Sequence, residues 1–137
     1  MSVQLSVAVR NARLDSLETA TGTAAVLKIR TGSAPANCAA ADVGTVLASM
    51  TLPSDWMAAA SGGQKAMTGT WQTLSASNTG SAANGHFRLY ASDGVTCHMQ
   101  GTVTATGNGG DMTLDNVSIV SGQQVSVTSF TLTDANS

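Results

Sequence analysis

Two periodicities divide the chain. Between Ser6 and Thr21, Val7, Leu14 and Leu17 recur at helical spacing with Ala8 and Ala12 beside them, as on one face of a helix. Arg10 and Arg13 stand close enough to Asp15 and Glu18 for modest pairs on a helix surface. Gly22 is placed to end that helix. A competing signal overlaps its start, because Val3, Leu5, Val7 and Val9 alternate as a strand would. The combined pattern predicts a short extended arm running into a helix over residues 1–22. A β domain follows over residues 23–137, within one globular unit.

From Ala25 the text changes to short β-like runs broken by Gly, Ser, Asn and Pro. Val26 to Arg30 alternates apolar and basic residues, and Thr45 to Leu52 puts Val46, Ala48, Met50 and Leu52 on one face before Pro53. Ser54 to Ala60 reads as one helical turn capped by Ser54 and closed by Gly62-Gly63. Ala66 to Leu74 predicts a strand with Trp71 in its middle. His86–Tyr90 and Cys97–Val103 flank Asp93-Gly94, a strong hairpin signal. Asp111 to Val120 and Val125 to Leu132 complete seven or eight short strands. The fold class expected is all-β, an antiparallel sandwich or jelly-roll-like barrel with a short N-terminal helix or arm.

Composition then narrows the function. A chain of 137 residues can bury a core of its own and needs neither disulfide nor metal merely to fold. Only 10% of its residues are charged, against about a quarter in an average soluble domain. The net charge of −2 with six Lys and Arg gives no footprint for nucleic acid. No run approaches the roughly 20 apolar residues of a membrane-spanning helix, so no membrane partner is expected. Met1-Ser2-Val3-Gln4 lacks the features of a signal peptide, and synthesis in the cytoplasm without one is the expectation. A neutral surface rich in Ser and Thr suits a protein that faces other protein, because charge is depleted at interface cores.

Candidate chemistry changes this picture little. Cys38 and Cys97 lack the CxxC spacing of a zinc or redox site. They read as two buried thiols or, after release into an oxidising medium, as a disulfide contributing roughly 4 kcal/mol by closing a long loop. His86 and His98 are the only candidate bases, and Cys97 and His98 point to opposite faces of a strand. Asp93, Asp111 and Asp115 are a poor match to a glycosidase, which needs two carboxylates held in a cleft, usually with aromatic platforms, because the chain has five Phe, Trp and Tyr in all and no Glu beyond Glu18. Asn108-Gly109-Gly110-Asp111 with Asp115 is an incomplete calcium loop. Gly107 to Gly110 opens no helix and has no following Lys-Ser/Thr, so it is no phosphate cradle. No catalytic residue, cofactor or metal is expected. Trp56 and Trp71 read as core or interface anchors.

Several segments together carry a resemblance. They are Ala8–Asp15, Ile29–Cys38, Leu52–Ala58, His86–Tyr90 and Thr96–Gly101. The pattern resembles a group of small proteins encoded among the virion genes of tailed bacteriophages and prophages. The resemblance implies a non-enzymatic structural subunit located in the virion, with other virion proteins as partners and homo-oligomers as a natural state. Decoration or cementing of the capsid, through the major capsid protein, is the first expectation. A tail, neck or fibre subunit is the second and a carbohydrate-binding adhesion module the third. Assembly contacts are expected at Val7, Leu14 and Leu17 of the helix, at Trp56 and Met57, at Trp71, and at any exposed strand edge. On this reading the helix is a detachable arm, and deleting residues 1–21 leaves a folded β domain.

Overall fold

The structure, a computed structural model, describes residues 3–134. Helix α1 spans Val7–Thr21. Ser6 caps it by accepting from the Val9 N–H at 3.2 Å, and Gly22 ends it at a φ of 86° with its N–H on the Glu18 carbonyl. The cap satisfies one of the free N–H groups of the first turn, so from Val7 onward the helical signal wins over the strand-like alternation. The buried stripe differs from the one predicted. Leu14 is its apolar centre, and Arg10, Asn11, Asp15 and Glu18 beside it turn their polar groups toward the β domain.

Among the described residues ten strands follow: β1 Val26–Arg30, β2 Val46–Thr51, β3 Gln64–Ala66, β4 Gln72–Thr73, β5 Gly80–Ser81, β6 Gly85–Tyr90, β7 Cys97–Ala105, β8 Met112–Leu114, β9 Ser118–Ile119 and β10 Val125–Thr133. The main sheet has the order β2-β1-β6-β7-β8-β10-β3, with β4 also on β10, while β5 and β9 pair separately. The fold is all-β with one short N-terminal helix, and its sheet curls into a half barrel. In detail the sheet is mixed, because β7 and β8 run parallel. Parallel neighbours normally need a crossover of a dozen or more residues, whereas Thr106 to Asp111 is far shorter. Glycine makes it feasible: Gly107 and Gly109 take φ of 91° and 79°. Gly110 lies so close to β7 that a Cβ would meet Thr104 Oγ1 at 2.7 Å.

Residues Ser54 to Ala60 form no helical turn. Trp56 to Ala58 run extended: the Ala58 N–H donates to Ala66, the Thr68 N–H donates to Trp56, and Met57 bridges Met67. Gly62 and Gly63, with φ of 62° and 76°, form the two centres of a type I′ hairpin turn instead of a helix stop. Pairing across that hairpin satisfies the backbone and sends both Trp56 and Met57 inward. The run from Ala66 to Leu74 breaks for the same reason, because the chain bends to bury Trp71. Four rings then line the core, with centroids 6.0 Å apart for Trp56 and Trp71, 5.6 Å for Trp71 and Phe130, and 5.3 Å for Phe130 and Phe87.

Candidate functional site

The six Lys and Arg side chains are all committed to intramolecular contacts, and they fall into two clusters. The first docks α1. The Lys65 side chain is 2% exposed and its Nζ lies 2.7 Å from Asp15 Oδ1 and 3.0 Å from Glu18 Oε1, with a further bond to the Ala58 carbonyl. Burial works against the ammonium, but the two carboxylates outweigh it and hold its pKa above the usual value. Asp15, Glu18 and Asn11 also accept from the backbone N–H groups of Ala60, Met57 and Gly63. Arg10 donates to the Asp134 carbonyl, Arg13 pairs with its carboxylate, and Trp56 Nε1 donates to the Gly22 carbonyl. The acidic and basic residues of α1 therefore find their partners in the β domain, where the sequence suggested pairs with each other.

The second cluster latches the long connection between β1 and β2. Arg88 on β6 is 1% exposed. It donates to Asp42 Oδ1, to the Ala40 carbonyl at 3.1 Å and to the Cys38 carbonyl at 2.7 Å. Arg30 reaches Asp42 Oδ2 at 3.1 Å, and Tyr90 Oη donates to Asp42 Oδ1 at 2.7 Å. Lys28 sits 5.0 Å above the Tyr90 ring and donates to Gly94. Burial would raise the Asp42 carboxyl, but the Tyr90 hydroxyl and the two guanidiniums hold it below its usual value.

Tyr90 itself is pushed up to about 12, by burial first and by its bond to Asp42 second. It is the only tyrosine, so an ultraviolet absorbance titration reads it alone. The native phenol is expected to ionise near 12, and in denaturant near the ordinary value of about 10. Because the folded value is the higher, this group's contribution to stability is intact below about pH 10. It is lost as pH rises toward the folded value. A native titration near the ordinary value would show the latch to be open.

Cys38 and Cys97 are free, half-buried thiols that interact directly. Burial pushes the Cys38 thiol up, and its neighbour Cys97 adds to the effect. The histidines and carboxylates weighed for catalysis do not share a cleft. His86 is buried with Nδ1 on the Gly32 carbonyl, while Asp111 accepts from Thr102 and Asp115 from Ser126. Asp93 closes the β6–β7 hairpin, and the Thr96 hydroxyl and the N–H groups of Thr96 and Val95 lower it to about 2. Among the described residues no three or more His, Cys, Asp or Glu gather as metal ligands.

The predicted assembly residues divide sharply. Trp56, Met57, Trp71 and Leu14 lie in this chain's own core, at 0%, 1%, 1% and 5% exposure, so their side chains cannot anchor another subunit. A large apolar side chain in a chain this poor in charge is claimed first by the chain's own interior. Leu17 is half-buried and Val7 is exposed. The apolar side chains that do reach solvent include Val3, Val9, Val43, Leu74, Val95 and Val120. The residues that reasoning from sequence missed are Lys65, Arg30, Arg88 and Asp42. Their signal was scarcity: with few charges, each is prone to have a dedicated partner.

Comparison with family models, curated proteins and solved structures finds no match to this chain.

Proposed function

We propose that the protein is a non-enzymatic structural subunit of a tailed-phage virion, and that it decorates or cements the capsid. The observation that carries the assembly part is how charge is used. All six cations are tied down within the chain, which leaves a largely neutral Ser/Thr/Gly surface carrying exposed valines. Such a surface suits burial against other protein, where unpaired charge would cost the most. The phage assignment rests on the sequence resemblance. The adhesion-module alternative is weakened, because Trp56, Trp71, Phe87, Tyr90 and Phe130 are all buried and these are all the aromatics in the sequence. No aromatic platform for a sugar remains.

The test is quantitative mass spectrometry of purified particles from the parent genome. Capsid decoration predicts a copy number comparable to that of the major capsid protein. A small fraction of that number moves the subunit to the tail or neck. Absence from the particle overturns the structural reading.

A further inference from the structure

The connection between β1 and β2 lies across one face of the β6–β7 hairpin, and that face also carries a cysteine. In the ladder Arg88 pairs with Gln100, and Tyr90 with Cys97. Directly paired residues point to the same side of a sheet, as do residues two apart on one strand. Arg88, Tyr90, Gln100 and Cys97 therefore share a side. The register slips by one residue between Leu89 and Tyr90, which makes His98 the extra residue of a bulge and aligns Cys97 with Tyr90. Gln100 Nε2 donates to the Pro35 carbonyl at 2.7 Å, Arg88 to the Cys38 carbonyl at 2.7 Å, and Tyr90 Oη to Asp42. The connection is thus pinned before, at and after Cys38, over the face from which Cys97 projects.

The backbone on both sides of the contact is held in place. Cys38 belongs to the turn from Asn37 to Ala40, where Asn37 Oδ1 accepts from the N–H groups of Ala39 and Ala40, each at 3.0 Å. Cys97 opens β7 and is fixed by its pairing. Between them stands Arg88, bonded to the carbonyl of one cysteine and interacting with the side chain of the other. The two thiols interact directly, and both are half-buried, so a small reagent can reach them. Cys97 Sγ donates to the Met99 carbonyl at 3.4 Å, and a thiol is only a weak donor, so little is lost when that hydrogen leaves.

We propose that Cys38 and Cys97 form an intrachain disulfide when the protein meets an oxidising small-molecule disulfide, and that this bond makes the latch on the β1–β2 connection covalent. The chemistry is thiol–disulfide exchange. The thiolate of one cysteine attacks the reagent, releases one of its halves as a thiolate and leaves a mixed disulfide on the protein. The thiolate of the other cysteine attacks the protein sulfur of that mixed disulfide and releases the second half. The protein gives up two protons and two electrons in all, and the reagent takes them up and departs as two thiols. A reducing medium runs the exchange backward, and the connection is then held by its hydrogen bonds and ion pairs alone. Burial pushes the Cys38 thiol up, which makes its sulfur a slow leaving group and protects the bond once formed. The bond closes a long loop that includes β1, β2 and β6, so it stabilises mainly by restricting the unfolded chain. The inference is independent of the assembly reading, because the isolated protein tests it.

The experiment is incubation of the full chain with oxidised glutathione, read by intact mass and by peptide mapping without reduction. The expected product is a monomer lighter by two hydrogens, with Cys38 and Cys97 in one cross-linked peptide pair. Its thermal midpoint is expected to lie about 10 °C above that of the reduced chain, as a cross-link over a long loop implies. Dithiothreitol is expected to abolish the difference. Cys38→Ser and Cys97→Ser are each expected to take up one glutathione on the remaining thiol and to show no such rise. Arg88→Ala gives a second reading. Its loss of stability is expected to be roughly halved in the oxidised chain, because the bond then holds the segment that Arg88 otherwise holds. Thiols left unreacted, glutathione on both cysteines without a cross-link, or a disulfide found only between chains would each overturn the pairing. A bond that forms and leaves the midpoint unchanged would overturn the covalent latch.

Discussion

Removing residues 1–21 is expected to unfold the protein, and not to release a soluble β domain. The truncated chain would keep Lys65, whose side chain is 2% exposed, while losing both carboxylates that neutralise it. The ion pairs that offset the desolvation of this ammonium go with the helix. The Met57 and Gly63 N–H groups would lose their acceptors as well, at about 1–3 kcal/mol for each group kept from water. The cover that Leu14 gives to the core would go too. Together these losses are large against the marginal stability of a typical domain, about 5–15 kcal/mol. Thermal melting by circular dichroism checks this, with no cooperative transition expected for the truncated chain. Adding Lys65→Met to the truncation removes the stranded ammonium and is expected to restore part of the transition. A truncated chain that melts cooperatively near the full-length midpoint would show the helix to be a detachable arm after all.

Replacing Arg88 is expected to have the next largest effect. Its guanidinium gathers Asp42 and the carbonyls of Ala40 and Cys38, so one side chain holds the connection from Thr31 to Thr45 against β6. In Arg88→Ala, Asp42 keeps only Arg30 and Tyr90, and the half-buried carbonyls of Ala40 and Cys38 lose their donor. We expect a loss of about 1–3 kcal/mol, the range for hydrogen bonds from a charged donor, because the Asp42 side chain is 39% exposed and water screens that pair. It would be read as a lower urea midpoint at unchanged slope. Arg88→Lys should recover little, because a single ammonium cannot reproduce the planar fork. The same latch predicts a response to acid. Asp42 is held below its usual value, so its contribution is present above the ordinary carboxylate range and lost as pH falls through the lowered one. A lysine variant as stable as the native chain would mean that charge, and not fork geometry, secures the loop.

How much of this was legible beforehand depends on how local each signal is. Gly22 ends α1 as the sequence indicates, because a helix stop involves atoms only a few residues apart. Strand β1 runs from Val26 to Arg30 as the alternation indicates, and Asp93-Gly94 lies in the connection between β6 and β7. These follow from backbone chemistry within one turn or one hairpin. The helical turn read at Ser54–Ala60 failed because its competitor was distant: the edge of Ala66–Thr68 supplies bonds that no local pattern announces. Trp56 and Met57 were read as contacts for a neighbour for the same reason, since a sequence marks a side chain as apolar without saying whose interior will hold it.

The sequence by itself determined the all-β class, the helix with its Gly22 stop, and a scarcity of charge that leaves every cation engaged within the chain. Only the tertiary structure decided which face of α1 is buried, which strands neighbour one another, and that β8 runs parallel to β7. The reason is physical. Periodicity and capping are set by interactions within a few residues. Lys65 with Asp15 and Arg88 with Asp42 join segments far apart in the chain, so they exist only once the sheet has closed around its core.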